Sequence, residues 1–404
     1  MTDREKHGQD SADQSSRELT LGGSWAMGVG GMVGGGIFST LGVVIAVAGE
    51  WAWASFVLGG LIALATGHCM AALTVSSDKA GGIYRFLRDE GFERTARLSA
   101  WVLILGYTLT VAVYAATFGS YLGNALGGPA WLPRAMAVAA IVVLAGVNLR
   151  GVGQAAGVEI AIVWGKLVIL AGLAVLGLAH FSPARLAQDG NFGLFGVVVG
   201  AASVFMAYEG FELLAYDYDD MIDRKRQIVR VMPLAIGAAL FIYVALALAT
   251  PMLVSPSMIV SDGEVALAKA GQAALGTFGL LAVTVAAALS TGSAINATLF
   301  STARLAREVA QENELPHVFA RRNSKGSPYV GVLVIAALAI AMAVIGGLAA
   351  LVTGASVVFL LVFGTVDLLA WRQDRAHPWI AGFGTFGAGL AILVLVAHLS
   401  GWIA

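Results

Sequence analysis

Between Gly28 and Gly36 the chain carries six glycines in nine residues, in the middle of an uncharged run of 31 residues from Leu19 to Gly49. The run exceeds the ~20 residues with which a helix crosses a bilayer. Glycine costs a helix about 1 kcal/mol per residue relative to alanine. In lipid, a backbone group left without a partner costs several kcal/mol. A glycine cluster at this depth has two readings. One is close helix–helix packing through small residues. The other is a broken first helix whose freed N–H and C=O groups hold a solute near the membrane midplane. Ile37-Phe38 follow directly, which favours the break.

The rest of the chain fits a polytopic membrane protein: 58% of residues are hydrophobic and 12% charged. The net charge of −1 gives no case for a nucleic-acid partner. Cys69 is the single cysteine and forms no intrachain disulfide. Residues 1–18 read as a short disordered cytoplasmic tail, and 19–404 as one transmembrane domain.

Hydropathy gives about eleven spans, with turns at Gly127-Gly128-Pro129 and Gly346-Gly347. With the N-terminus in the cytoplasm, the inner segments take the clusters Lys79–Arg97 and Arg224–Arg230. The outer segments hold only Arg134, Arg185 and Lys269. That asymmetry orients the chain in a plasma (inner) membrane. The sixth span contains Tyr208-Glu209-Gly210-Phe211, a second expected break. Two interruptions five spans apart suggest repeats of opposite orientation and a transport site between them. Repeat one covers about 20–181 and repeat two about 191–372, with an extra helix at about 378–402.

Ionisable groups inside a bilayer are functional candidates because a charge there is expensive. Lys166 lies a third to halfway along the fifth span, too deep to snorkel comfortably. It can carry a proton or stand as a fixed charge; a structural amine satisfied by helix-break carbonyls is the alternative. Glu209 at the break can attract an amine or bind a proton. Glu212, three residues on, faces the same cavity if the helix resumes. The alternative is that one of them pairs with Lys166 or caps the broken helix. Glu159 is expected to pair with Arg150 or to be hydrated, and Asp367 to pair with Arg372 or to be hydrated. In the eighth span Ser290, Thr291, Ser293 and Asn296 either bond the carbonyl four residues back or cross to a neighbouring helix, or else face the first-span break and contact the Lys166 amine. No Cys/His/Asp cluster has metal-ligand spacing, and neither a nucleophile elbow nor a phosphate loop is present. No metal, cofactor or enzymatic activity is therefore expected.

Five motifs in order resemble the amino acid–polyamine–organocation superfamily of secondary transporters. They are Gly34-Gly35-Gly36-Ile37-Phe38; Gly81-Gly82-Ile83-Tyr84; Asn148-Leu149-Arg150-Gly151-Val152 with Gly165-Lys166-Leu167; Ala207-Tyr208-Glu209-Gly210-Phe211-Glu212; and Ser301-Thr302-Ala303-Arg304-Leu305 with Leu315-Pro316. The chain departs from many relatives in lacking an acidic residue at Cys69-Met70-Ala71 and in having eleven spans rather than twelve.

The resemblance implies a leucine-transporter-like, all-α fold of two inverted five-helix repeats plus one helix. It implies that backbone N–H groups between Gly31 and Gly36, including Gly34 and Gly35, take a substrate carboxylate. The amine would lie on carbonyls around Gly30, Gly31 and the sixth-span break, whose expected lining is Phe205, Met206, Ala207, Tyr208, Glu209 and Gly210. Met32 completes the first-span set. Lys166 matches the lysine that stands where sodium binds in other relatives, and Glu212 a glutamate used in pH response or amine recognition. Ser290 and Ser293 are the eighth-span candidates for coupling. The expected function is proton-coupled, sodium-independent import of an amino acid or related amine by alternating access. Exchange without an ion gradient is the alternative.

Overall fold

The computed structural model describes residues 19–150, 156–186 and 193–401. The expected tail at 1–18, and Gly151-Val152 of the third motif, lie outside the described residues. The architecture is all-helical and polytopic, with a rod at each of the eleven expected spans. The first two are α1 (Leu21–Ala48) and α2 (Ala52–Ser77), followed by a short α3 (Ile83–Asp89) along the basic end. The next three spans are α4 (Glu93–Leu126), α5 (Leu132–Leu149) and α6 (Ala156–Leu178). The sixth is split into α7 (Gly193–Val204) and α8 (Leu213–Tyr216), and α9 (Arg224–Leu253) is the seventh. After a short α10 (Pro256–Ser261) come α11 (Ala266–Gln311), α12 (Tyr329–Ile345), α13 (Leu348–Arg372) and α14 (Pro378–Leu399).

Among the described residues, nine stretches are long and apolar enough to cross a membrane. The first of these, Leu21–Ser77, contains both α1 and α2, and the 17-residue α12 falls just below the length limit. The interior is centred on α1 and the sixth-span break. Val29, Met32, Val33, Ile37, Phe205, Met206, Tyr208 and Phe211 are all fully buried.

The first span departs from expectation. Helix α1 is continuous from Leu21 to Ala48, with Thr20 capping its start by accepting from the Gly23 N–H. The glycines here serve close approach rather than a break. A Cβ on Gly31 would stand 3.2 Å from the Cα of Gly210, and one on Gly36 would stand 2.6 Å from the Ala207 carbonyl oxygen. A Cβ on Gly35 would collide with the Tyr114 ring. Backbone-to-backbone packing of this kind offsets the poor helix propensity of the stretch.

The sixth span is broken as expected. A 3₁₀ turn at Phe205–Tyr208 follows α7, and Gly210 has φ of +119° before α8 resumes. That backbone conformation is open to glycine and rare for other residues. The freed groups find partners, as burial in a membrane requires. The Met206 N–H donates to Ser356 Oγ at 3.0 Å, and that hydroxyl donates to the Ser203 carbonyl at 2.9 Å.

The polar stretch Ser255–Lys269 between the seventh and eighth spans is largely helical. Ser255 caps α10 by accepting from the Met258 N–H, with Pro256 in the first turn. Helix α11 holds a sharp corner at Leu275 and Gly276, the latter at φ +61°. The two arms fold against each other there, since a Cβ on Gly271 would lie 2.7 Å from the Gly279 carbonyl oxygen.

Candidate functional site

The break places two carboxyl groups deep in the fold. Glu209 is 3% exposed and Glu212 is 2% exposed. Each accepts from a tyrosine on α4: Tyr114 Oη donates to Glu209 at 2.9 Å, and Tyr107 Oη donates to Glu212 at 3.0 Å. The second Glu212 oxygen accepts from the Gly210 N–H at 2.7 Å, so this side chain folds back over the break it follows. The two carboxyl groups are buried on either side of Gly210, and an acid buried without a cation is better served neutral, so the pair can hold a proton. No basic side chain lies within ion-pair distance of either one among the described residues. The expected alternative of a pair with Lys166 is not realised.

Lys166 projects from α6 toward α1. Its side chain is buried, and its Nζ donates to the Gly30 carbonyl at 2.8 Å. Two neighbouring α1 carbonyls are taken in the same way. Tyr243 Oη on α9 lies 2.7 Å from the Met32 oxygen, and Ser290 Oγ on α11 donates to the Val33 oxygen at 3.1 Å. Side chains from three helices thus converge on the glycine turn. Tyr243 Oη also lies 2.7 Å from the Ala207 oxygen and so joins α1 to the break. Beside Lys166 a crevice of about 430 Å³ opens between α6 and α11, lined by apolar residues including Ile162, Ile169, Val285 and Leu289.

Back-bonding and crossing to a neighbouring helix both occur in the eighth span, on different residues. Ser290 crosses to α1, whereas the Thr291 hydroxyl donates back to the Ala287 carbonyl at 2.7 Å. Asn296 accepts from the Asn148 amide at 3.0 Å and ties α11 to α5. Ser293 is half-buried on the same helix.

Glu159 is half-buried and forms no ion pair with Arg150 among the described residues, which leaves hydration of the two alternatives. One expectation fails. Asp367 is fully buried and takes a hydroxyl from Thr66 rather than reaching Arg372 or water. One helical turn toward the end of α13 was too short an offset to bring it out of the packed seam.

Four contributors escaped the sequence reading: Tyr107 and Tyr114 on α4, Tyr243 on α9 and Ser356 on α13. The two α4 tyrosines stand seven residues apart, with Tyr121 seven further on. That spacing puts them on one helix face, and it was legible as a stripe.

The basic end is laced by polar contacts. Arg88 meets Glu312 at 2.7 Å, Tyr84 donates to Glu314 at 3.1 Å, and Asp78 meets Lys225 at 3.1 Å and Arg224 at 3.3 Å. These connect α2 and α3 to α9 and to the end of α11.

Comparison with known proteins agrees with this architecture. The model of a family described as amino acid permease matches residues 19–402. The inner membrane transport protein YbaT of Escherichia coli is 28% identical over 393 residues, covering 95% of this chain and 90% of that protein. Human Asc-type amino acid transporter 1 is 26% identical over 408 residues, covering 96% of this chain and 76% of that protein. The chain belongs to the amino acid permease family, as a multi-pass membrane transporter.

Proposed function

We propose that the protein imports amino acids across the plasma membrane by alternating access, driven by protons and independent of sodium. The observation that carries this reading is the Lys166 ammonium seated on the Gly30 carbonyl. An ammonium in that place supplies the positive charge that a bound metal cation would otherwise bring to the α1 carbonyls. A lysine can also give up its proton, which a sodium ion cannot replace. The buried Glu209–Glu212 pair supplies a second place for a proton, close to the break.

In this reading the substrate carboxylate sits on the N–H groups of Gly31, Gly34, Gly35 and Gly36. Helix α1 opens at its glycine turn to receive it, because those N–H groups belong to a continuous helix here. Six glycines keep that opening cheap, at about 1 kcal/mol less helix stability each than alanine. The amine rests on carbonyls near Gly30 and Phe205–Tyr208, beside Glu209. Helices α1, α2, α7–α8 and α9 rock against α4, α5, α6 and α11. The N-terminus and the laced basic end face the cytoplasm.

The test is uptake into proteoliposomes of purified protein, preceded by a thermal-shift screen for the amino acid bound. An inward proton gradient without sodium drives accumulation of that amino acid. Uptake that needs sodium contradicts the reading. Uptake driven by internal amino acid and indifferent to the proton gradient replaces it with exchange.

A further inference from the structure

Away from the transport site, Asp367 on α13 is an acid with no counter-ion. It is 0% exposed, and no basic side chain lies within ion-pair distance among the described residues. Its Oδ2 lies 2.8 Å from Thr66 Oγ1 on α2, while its Oδ1 is buried with no hydrogen-bond partner. On the third side it presses on α14, where a Cβ on Gly384 would collide with its carboxyl group. The titratable group facing it is the buried thiol of Cys69, one turn on from Thr66 along α2.

A charged carboxylate is poorly served here. Isolated burial of an ion is among the largest penalties a fold can carry, and an unpartnered carboxylate oxygen adds to it. A neutral acid is well served. Thr66 Oγ1 lies 3.2 Å from the Ile62 carbonyl, so its one hydrogen can go there. Its oxygen then accepts a hydrogen bond from the Asp367 Oδ2–H, the reverse of the bond by which Thr66 donates to an ionised Asp367. The chain Asp367 Oδ2–H to Thr66 Oγ1–H to Ile62 O uses the acid and hydroxyl hydrogens once each, and the weak S–H donor of Cys69 is the one hydrogen of this group it leaves out. Oδ1 is left as a neutral carbonyl oxygen, which is cheap to leave unpartnered beside a carboxylate oxygen.

At the end of α2 beyond this site lies a crevice of about 110 Å³, lined by Ser76 and Ser77 of α2 together with Asp89, Glu90 and Arg375. It also touches Leu73, one turn beyond Cys69.

We propose that Asp367 is a proton-binding site on the α2–α13–α14 seam, neutral while Thr66 is docked against it and ionised when α2 moves away. The binding step forms the O–H bond of a carboxylic acid from a carboxylate and a proton, and release reverses it. The release half rests on the alternating-access reading, in which α2 moves with the rocking bundle, and adds to it that α13 does not follow α2. The binding half does not.

Infrared spectroscopy of the full chain in lipid at neutral pH tests the site without transport. The wild type shows the carbonyl stretch of a protonated carboxyl that is lost in Asp367→Asn. In Thr66→Val the band remains and shifts upward, because the acid has lost its hydrogen-bond acceptor. The same protonated-carboxyl bands in wild type and both variants overturn the proposal, as does a Thr66→Val spectrum identical to wild type. Failure of proton-driven import would leave these spectra unchanged, so the two readings fail separately.

Discussion

The Lys166 Nζ on α6 donates to the Gly30 carbonyl of α1 at 2.8 Å. This contact joins the fifth span to the glycine turn on which the interior is centred. Met32 and Val33 receive Tyr243 and Ser290 two and three residues further on. An α-helix normally keeps its carbonyls for the N–H four residues ahead, and side chains that reach in between loosen that ladder. The glycine turn is continuous, and Lys166 is the one cation among the three side chains that grip it.

The glycine contacts predict an effect of alanine that depends on position. At Gly36 a Cβ would lie 2.6 Å from the Ala207 oxygen, and at Gly210 one would lie 2.7 Å from the carbonyl carbon of Gly31. Neither neighbour is a flexible side-chain end. Gly36→Ala and Gly210→Ala each destabilise by about 1–3 kcal/mol, with the larger loss at Gly210 because of its positive φ. Gly22→Ala, which meets nothing within 4 Å, leaves the melting temperature near wild type. Melting temperatures in one detergent check all three.

Tyr243 holds α1 and the break together through a single hydroxyl. Its oxygen lies 2.7 Å from both the Met32 and Ala207 carbonyls, in a fully buried position. Tyr243→Phe keeps the ring and leaves both carbonyls without this donor. It costs about 1–3 kcal/mol of stability. The apparent affinity for substrate changes as well if the α1 turn is where the carboxylate binds. Thermal unfolding with and without amino acid separates the two effects.

The basic end carries a pH signature. The hydrogen bond from Lys225, reinforced by Tyr218 and Arg224, holds the Asp78 carboxyl below its ordinary value of 3.8. A carboxyl lowered in the folded state stabilises above its unfolded pKa and loses that contribution as pH falls through its folded value. Asp78→Asn therefore melts below wild type at neutral pH, and the gap narrows as the pH falls below 3.8 and closes under the lowered folded value. The group is exposed, so the gap is small and shrinks with salt. A melting series in pH, at low and high salt, reads it directly.

Much of this was legible in the chain. The spans followed from hydropathy because lipid allows little besides unbroken apolar helices. The break at Glu209-Gly210 was visible because a carboxylate beside a glycine fits no membrane helix interior. The first-span glycines misled, since glycine serves both a break and a close contact. Only the partner decides between them, here the backbone at Gly210 and the ring of Tyr114. Asp367 was misplaced for a similar reason. Its neighbours in sequence include Arg372, but its neighbours in space are Thr66 and Gly384, from spans far away in the chain. Tyr107 and Tyr114 were readable as a stripe on one face, yet nothing local says that the stripe meets two glutamates.

The most direct test of the account is proton entry during uptake, followed with a pH-sensitive dye inside sodium-free proteoliposomes. Wild-type protein is predicted to acidify the lumen when the transported amino acid is added outside. Lys166→Ala is predicted to bind that amino acid, as a thermal shift, while losing proton-driven accumulation. Undiminished proton entry and accumulation in Lys166→Ala would contradict the role assigned to the Lys166–Gly30 contact.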